Sequence, residues 1–317
     1  VSAPLVSVVL TVYRRLDYLS EALKSVAAQS FEDYEIIVAD DSGTEAAKEI
    51  VAPLVESGRV RYEPNAETLG VALSVRSALG KARGRYIAIL NDDDAWQPEF
   101  LARLVSPLEA DNRRVLAFCD HWIVTEDGEI DHLTTEHNTA AYGRRSLQVG
   151  DITNPPALVL QKNAVPLAMG SVFRADALDG TKLVPEVAGA YDFWISSLLA
   201  ASGGGFFYVS ERLTRYRLHS QMETVRRSPE KSECLVFIWK SLHESGMFPE
   251  LATYIRSRLA QSRVRAGRDR LYFNQLADAR RLFREAFSTA PGWEPCASYL
   301  LSVLPLSIRK AAGVSRA

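Results

Sequence analysis

The chain has 317 residues, 47% apolar and 24% charged, which suits one large or two ordinary globular domains and excludes a disordered or fibrous protein. Lys and Arg number 37 against 39 Asp and Glu, and the net charge of −2 gives no support to a nucleic-acid-binding role for the whole chain. The three cysteines, Cys119, Cys234 and Cys296, form no CxxC pair, so buried free thiols are expected rather than a disulfide framework or a zinc site.

Leu5–Val12 is a short apolar, β-branched run that reads as a buried strand. Leu16–Gln29 follows with Leu16, Leu19, Leu23 and Val26 at helical spacing. Tyr34–Ala39 is a second buried strand, stopped by Asp40-Asp41-Ser42-Gly43. A helix is expected from Thr44, its candidate N-cap, to about Val55. Arg59–Glu63 predicts a third strand, and Leu69–Ala82 a third helix closed by Gly84. Arg85–Leu90 is a fourth strand and runs into Asn91-Asp92-Asp93-Asp94. Glu99–Leu108 predicts a helix and Val115–Val124 a strand. Thr125–Gly150 is polar, holds His132 and His137, and is expected to be a loop over a site. Leu167–Phe173 is apolar, and Tyr191–Ser202 predicts a helix stopped by Gly203-Gly204-Gly205. Phe206–Val209 is a short strand, and Leu213–His219 returns toward the sheet. From about Pro229 the pattern is helical, broken at Gly246, Pro249, Pro291-Gly292 and Pro305. No run reaches the roughly 18 to 20 apolar residues that cross a bilayer. Val1–Leu10 has no basic region before its apolar run, so no signal peptide is expected, and a cytoplasmic location follows as an expectation.

Strand–helix alternation over the first half implies an α/β domain with a mostly parallel sheet flanked by helices. In such sheets ligands bind beyond the carboxyl ends of the strands. Two of those ends carry acidic clusters, Asp40-Asp41 and Asp92-Asp93-Asp94. Three adjacent carboxylates repel unless a cation or hydrogen-bond donors relieve them. They are either a solvated turn or a site for Mg²⁺ or Mn²⁺, which take oxygen ligands from a carboxylate or two plus substrate phosphates. Asp40-Asp41 is either a turn with an Asx hydrogen bond or an acceptor for a base or ribose. GxGxxG, GxxxxGK[ST] and GxSxG are all missing, which removes the usual dehydrogenase, P-loop and α/β-hydrolase readings.

The segment from Val6 to Gly43 and the later Gly80–Leu101 stretch together resemble family 2 glycosyltransferases, which have the GT-A fold. The matches are Thr11, Tyr13, Gln29-Ser30-Phe31, Glu35-Ile36-Ile37-Val38, Asp40-Asp41 and the acidic turn after Tyr86-Ile87. The resemblance covers roughly residues 5 to 220. It implies a GT-A domain over 1–225, a Rossmann-like mostly parallel sheet flanked by helices, followed by a C-terminal helical extension over 226–317. It further implies that Thr11, Tyr13, Asp41 and Asp92 bind the nucleoside and that Asp93 is the principal ligand of a divalent metal, Mn²⁺ or Mg²⁺. Asp192 matches the base, with Glu186 in reserve, and His219 matches a late residue near metal or diphosphate. As a helix N-cap, Asp192 is expected to have a lowered pKa. The chain departs from the family at Arg14, Asn91, Tyr191 and Leu198. Arg14 is open between a phosphate contact and a solvated loop residue. Trp96, Trp122, Trp194 and Phe193 are expected in the core, and of these Trp96, just after the acidic turn, is the one placed to line a donor pocket instead.

The activity implied is inverting transfer of a sugar from a nucleotide-diphosphate sugar, a UDP-sugar first, to a glycan or lipid-linked acceptor in cell-surface polysaccharide or glycolipid synthesis. A non-catalytic nucleotide-sugar or glycan binding module stays open. A sugar nucleotidyltransferase is opposed by the absence of glycines after the first strand. The charge is uneven, because Leu251 to the end carries 12 Lys or Arg against 4 Asp or Glu, an excess of +8 beside −10 in the rest. This tail is either a packed helical cap with solvated arginines or a peripheral contact with an anionic membrane.

Overall fold

The computed structural model describes every residue except 1–2, 14, 45, 57, 221–227, 312 and 315–317. The described chain divides into two units, Val1–Pro185 with Tyr191–Ser220, and Glu186–Ala190 with Gln221–Ala317. Both Arg14 and the expected domain boundary at 225/226 lie outside the described residues.

In the first unit, β1 (Val6–Val12), β2 (Tyr34–Asp40), β3 (Val60–Pro64) and β4 (Tyr86–Asn91) form a parallel half-sheet in the order β3-β2-β1-β4. They are joined by α1 (Leu16–Ala27), α2 (Ala46–Val55) and α3 (Val71–Leu79). Every residue of β1 and β2 is buried, as expected of strands covered on both faces. Leu19, Leu23 and Val26 of α1 pack with Val8, Leu10, Ile36 and Val38 in the core. The register pairs Val12 with Asp40 and Thr11 with Asn91, so the three strand ends finish level with one another. The sheet continues through β8 (Ser171–Arg174), β6 (Arg114–Val124), β9 (Gly205–Arg217) and β5 (Ala95–Trp96). β8 is antiparallel to β4 and β6, while β9 is parallel to β6. The remaining elements of this unit are α4 (Phe100–Ala110), α5 (His132–Ala141), β7 (Gly150–Asp151), α6 (Pro155–Ala157), α7 (Leu167–Gly170) and α8 (Tyr191–Ala201).

Three expectations are corrected, and the core placement of Trp96 is met. Gly84 does not close α3, which ends at Leu79 with Gly80 as its cap. Gly84 is needed for close approach instead, since a Cβ there would lie 2.4 Å from the Ser7 nitrogen. Thr125–Gly150 is not a plain loop. It contains α5, started by Asp131, whose side chain accepts from the Thr134 N–H at 2.9 Å. The two short segments before and after Ser210 are one strand, β9, kept on β6 by register shifts on either side of Asp120. Trp96 is core: it is buried, its ring stacks on Phe100 at 4.2 Å, and its Nε1 donates to the Met169 carbonyl.

The second unit carries α9 (Pro229–Ser245), α10 (Ala252–Tyr272), α11 (Leu276–Thr289), α12 (Trp293–Val303) and α13 (Leu306–Ala311). α10 packs against α9, α11 and α12. At Gly267 the α10 backbone comes so near Phe283 that a Cβ would meet its ring at 2.5 Å. Among the described residues, no helix is long and apolar enough to cross a membrane. Cys119 and Cys234 are buried thiols outside any disulfide, but Cys296 is exposed, against expectation.

Candidate active site

The acidic turn at the end of β4 is held by its own neighbours. The Tyr13 N–H donates to Asp92 Oδ2 at 2.8 Å, and Arg15 Nη2 pairs with Asp92 Oδ1 at 2.6 Å. Arg15 Nη1 donates to Asp93 Oδ2. His219 Nε2 lies 3.1 Å from that same oxygen. Asp94 accepts the Arg217 N–H on Oδ1 at 3.1 Å, while its buried Oδ2 has no hydrogen-bond donor among the described residues. Burial drives the Asp92 carboxyl up to about 7, against the opposing pull of Arg15. Burial and the neighbouring Asp93 push Asp94 well above the usual carboxylate range. Burial works to lower the Arg15 pKa, but Asp92 and Asp93 raise it overall. Three carboxylates crowded in low dielectric favour a cation among them.

One step back along β4, Asn91 Oδ1 accepts from Thr11 Oγ1 at 3.1 Å and from the Tyr191 hydroxyl at 3.0 Å. Two of the departures from the family pattern, Asn91 and Tyr191, are therefore bonded to each other. A neutral amide oxygen and a phenol replace two groups that would repel as carboxylates. This contact ties the start of α8, where Asp192 follows Tyr191, to the end of β4. Burial, then the charges of Asp94, Asp93 and Asp192, push the Tyr216 phenol up, which places Tyr216 in the field of both.

Asp192 is the second residue of α8, not its N-cap, and its carboxylate accepts from the Phe193 N–H at 2.7 Å. The expected lowering of its pKa is reversed: burial raises it, with backbone N–H groups opposing only in part. Glu186 is exposed and lies in the short helical segment Pro185–Ala190, in the stretch that groups with the second unit.

Asp41 lies at the next strand end, its N–H donating to the Val12 carbonyl at 3.0 Å. Its carboxylate takes the N–H groups of Leu69 at 2.7 Å and Gly70 at 2.9 Å, and the Asn65 amide at 3.0 Å. It thus braces the loop that opens α3. The Tyr13 ring is 43% exposed beside these strand ends. The structure brings Thr11, Tyr13, Asp92, Asp93, His219 and, through Tyr191, Asp192 to one edge, with Asp41 bracing its flank. Sequence reasoning weighed Arg14 and missed Arg15, and no spacing rule separates two adjacent loop arginines.

The residues that would hold a divalent ion are Asp93 and His219. Asp93 Oδ2 and His219 Nε2 stand 3.1 Å apart and would supply one carboxylate and one imidazole ligand. Among the described residues, no three His, Cys, Asp or Glu side chains converge on one point. An ion here would take its other ligands from water and phosphate, as Mg²⁺-like ions do.

Residues 7–161 match the family model described as Glycosyl transferase family 2. That segment belongs to family 2 of the glycosyltransferases. The chain is 29% identical to the Bacillus subtilis protein named "Putative teichuronic acid biosynthesis glycosyltransferase TuaG", over 39% of this chain and 50% of that one. The structure of Staphylococcus aureus TarS 1–349 with UDP-GlcNAc superposes with a TM-score of 0.68 at 13% identity, covering 97% of this chain and 92% of that one. The mannosyltransferase PcManGT from Pyrobaculum calidifontis, with GDP-Man and Mn²⁺, gives a TM-score of 0.56 at 16% identity, covering 99% and 84%. These likenesses establish the GT-A fold.

Proposed function

We propose that this family 2 glycosyltransferase moves a sugar, with inversion, from a nucleotide-diphosphate sugar to an acceptor hydroxyl. The catalytic domain is assigned to 1–225 and the helical region to 226–317. The observation that carries the reading is the meeting of the Asp92–Asp94 turn, His219 and the start of α8 at the carboxyl edge of the parallel strands.

Asp93 and His219 would hold Mn²⁺ or Mg²⁺, with Asp92 beside them near the ribose. Such an ion supplies charge neutralisation for the departing diphosphate. Arg15 keeps Asp92 and Asp93 in place and offers a fixed positive charge at the same point. Thr11, Tyr13 and Asp41 bind the nucleoside, Tyr13 through its half-exposed ring and Asp41 chiefly by bracing the loop before α3. Asp192 receives the proton of the acceptor hydroxyl. Its raised pKa makes it a better base than a surface carboxylate. Glu186 is the second candidate.

A UDP-sugar is the first donor to test, because TarS binds UDP-GlcNAc. Mn²⁺ is supported by its presence with PcManGT. A role in cell-surface polysaccharide or glycolipid synthesis, on a glycan or lipid-linked acceptor, is supported by the likeness to TuaG.

The test is a melting screen with UDP, GDP, dTDP and CDP, each with Mn²⁺, Mg²⁺ or EDTA, followed by metal-dependent hydrolysis of the matching nucleotide sugar. A ligand that binds only the folded state raises the melting temperature by mass action. One nucleotide is expected to stabilise the protein only with metal, and Asp93→Ala to abolish the effect. Stabilisation by no nucleotide sinks the donor site. Binding without hydrolysis or transfer leaves a binding module.

A further inference from the structure

α12 carries a second apolar stripe on its outward side. Its buried positions are Pro295, Ser298 and Ser302, while its outward stripe is Trp293, Cys296, Leu300 and Val303. The steps of three, four and three residues put those four side chains on one face. Trp293 is 79% exposed, Leu300 64% and Val303 52%. The inward face is held by polar contacts: Arg268 reaches Ser298 Oγ at 3.2 Å and Glu294 at 3.1 Å, and Arg280 donates to the Ser302 carbonyl at 2.9 Å. The helix is thus anchored through these serines and through Tyr299 and Leu301, which pack against the cluster of Leu271, Ala279 and Phe283, while Trp293, Leu300 and Val303 face solvent. Leu306 and Ile308 of α13 continue the exposed apolar series. An exposed apolar face of this kind marks a contact surface.

We propose that α12 and α13 dock on an anionic membrane surface, with Trp293, Leu300 and Val303 in the headgroup–acyl boundary. Two observations select a lipid surface over a second copy of the chain. The stripe holds a tryptophan and no charge, and Arg284 and Lys310 are exposed on the neighbouring helices, the composition of an interfacial helix. The chain from Leu251 onward also carries a surplus of +8, so two copies facing each other would set like charge against like. Anionic headgroups complement that surplus. This inference is independent of the donor assignment, because its test reads binding alone.

The test uses the full chain floated with vesicles of phosphatidylcholine alone and of phosphatidylcholine with phosphatidylglycerol. Binding is expected only with the anionic lipid, and weaker at high salt. The double variant Trp293→Ser, Leu300→Ser is expected to bind roughly tenfold or more weakly. Lys310→Glu with Arg284→Glu should also weaken it. Quenching of tryptophan emission by brominated acyl chains in the unaltered protein checks insertion without any variant, and should be lost in Trp293→Phe. Three results would overturn the proposal: no flotation with either vesicle, unchanged binding by the double variant, or a solution dimer that the double variant dissolves.

Discussion

Arg15→Ala isolates the electrostatic logic of the site. Arg15 forks between Asp92 and Asp93, with its own side chain 18% exposed and that of Asp92 fully buried. Removing one partner of a buried ion pair costs about 3–5 kcal/mol, because the other charge is left without compensation. Burial has already brought Asp92 to about 7. It escapes part of the cost by taking a proton, so the net loss is about 2–3 kcal/mol. At this chain size 1 kcal/mol moves the midpoint by about 2–4 °C, so the variant should melt roughly 5–10 °C lower in EDTA. Mn²⁺ should then restore more stability to the variant than to the parent, since the ion no longer competes with a guanidinium for Asp93. A ligand at a hundred times its Kd contributes about 2.7 kcal/mol. Melting curves in EDTA and across a Mn²⁺ titration decide the matter. Equal melting points in EDTA, or equal Mn²⁺ responses, refute the reasoning.

Tyr191→Phe removes one of two donors to Asn91 and should cost about 1 kcal/mol in denaturant unfolding. Turnover should fall several-fold with the donor KM unchanged, because the start of α8 loses its tether. Gly84→Ala forces a Cβ onto the Ser7 backbone and should destabilise by about 1–3 kcal/mol without altering nucleotide affinity per folded molecule. His121 is buried against Asn138 and Arg144, and burial, then Arg144, lowers it to about 4. A depressed histidine stabilises above its unfolded pKa and loses that stability as pH falls. Melting between pH 7 and pH 4 should therefore show a loss of up to about 3 kcal/mol that His121→Gln largely removes.

The parallel half-sheet was legible because β1, β2 and β4 are buried on both faces and written in largely apolar runs. Their acidic ends were legible because charge stops such a run abruptly. α5 was not, since its ten residues carry no apolar stripe, although Asp131 three residues before Thr134 was a start signal. β9 was split in the reading because Ser210-Glu211-Arg212 interrupts its pattern, and a bulge that absorbs polar residues leaves no periodicity to detect. The candidate site was readable as a set of types, but its pairings were not. That Arg15 sits between two aspartates, and that Asn91 bonds Tyr191, depends on strand ends a hundred residues apart meeting in space. The direction of the Asp192 shift failed for the same reason, because burial outweighed the helix end.

The clasp between β4 and β9 has a consequence for biosynthesis. Arg217 donates its N–H to Asp94 and its Nε to the Asp93 carbonyl, joining points more than 120 residues apart along the chain. The first four strands can pair as they leave the ribosome, but the acidic turn takes its working shape only after β9 has been translated and threaded beside β6. Contacts of such long sequence separation form late and slowly. Metal and donor affinity should therefore be acquired in a final step of assembly, and a chain truncated before Leu213 should retain strand structure while having no site to saturate.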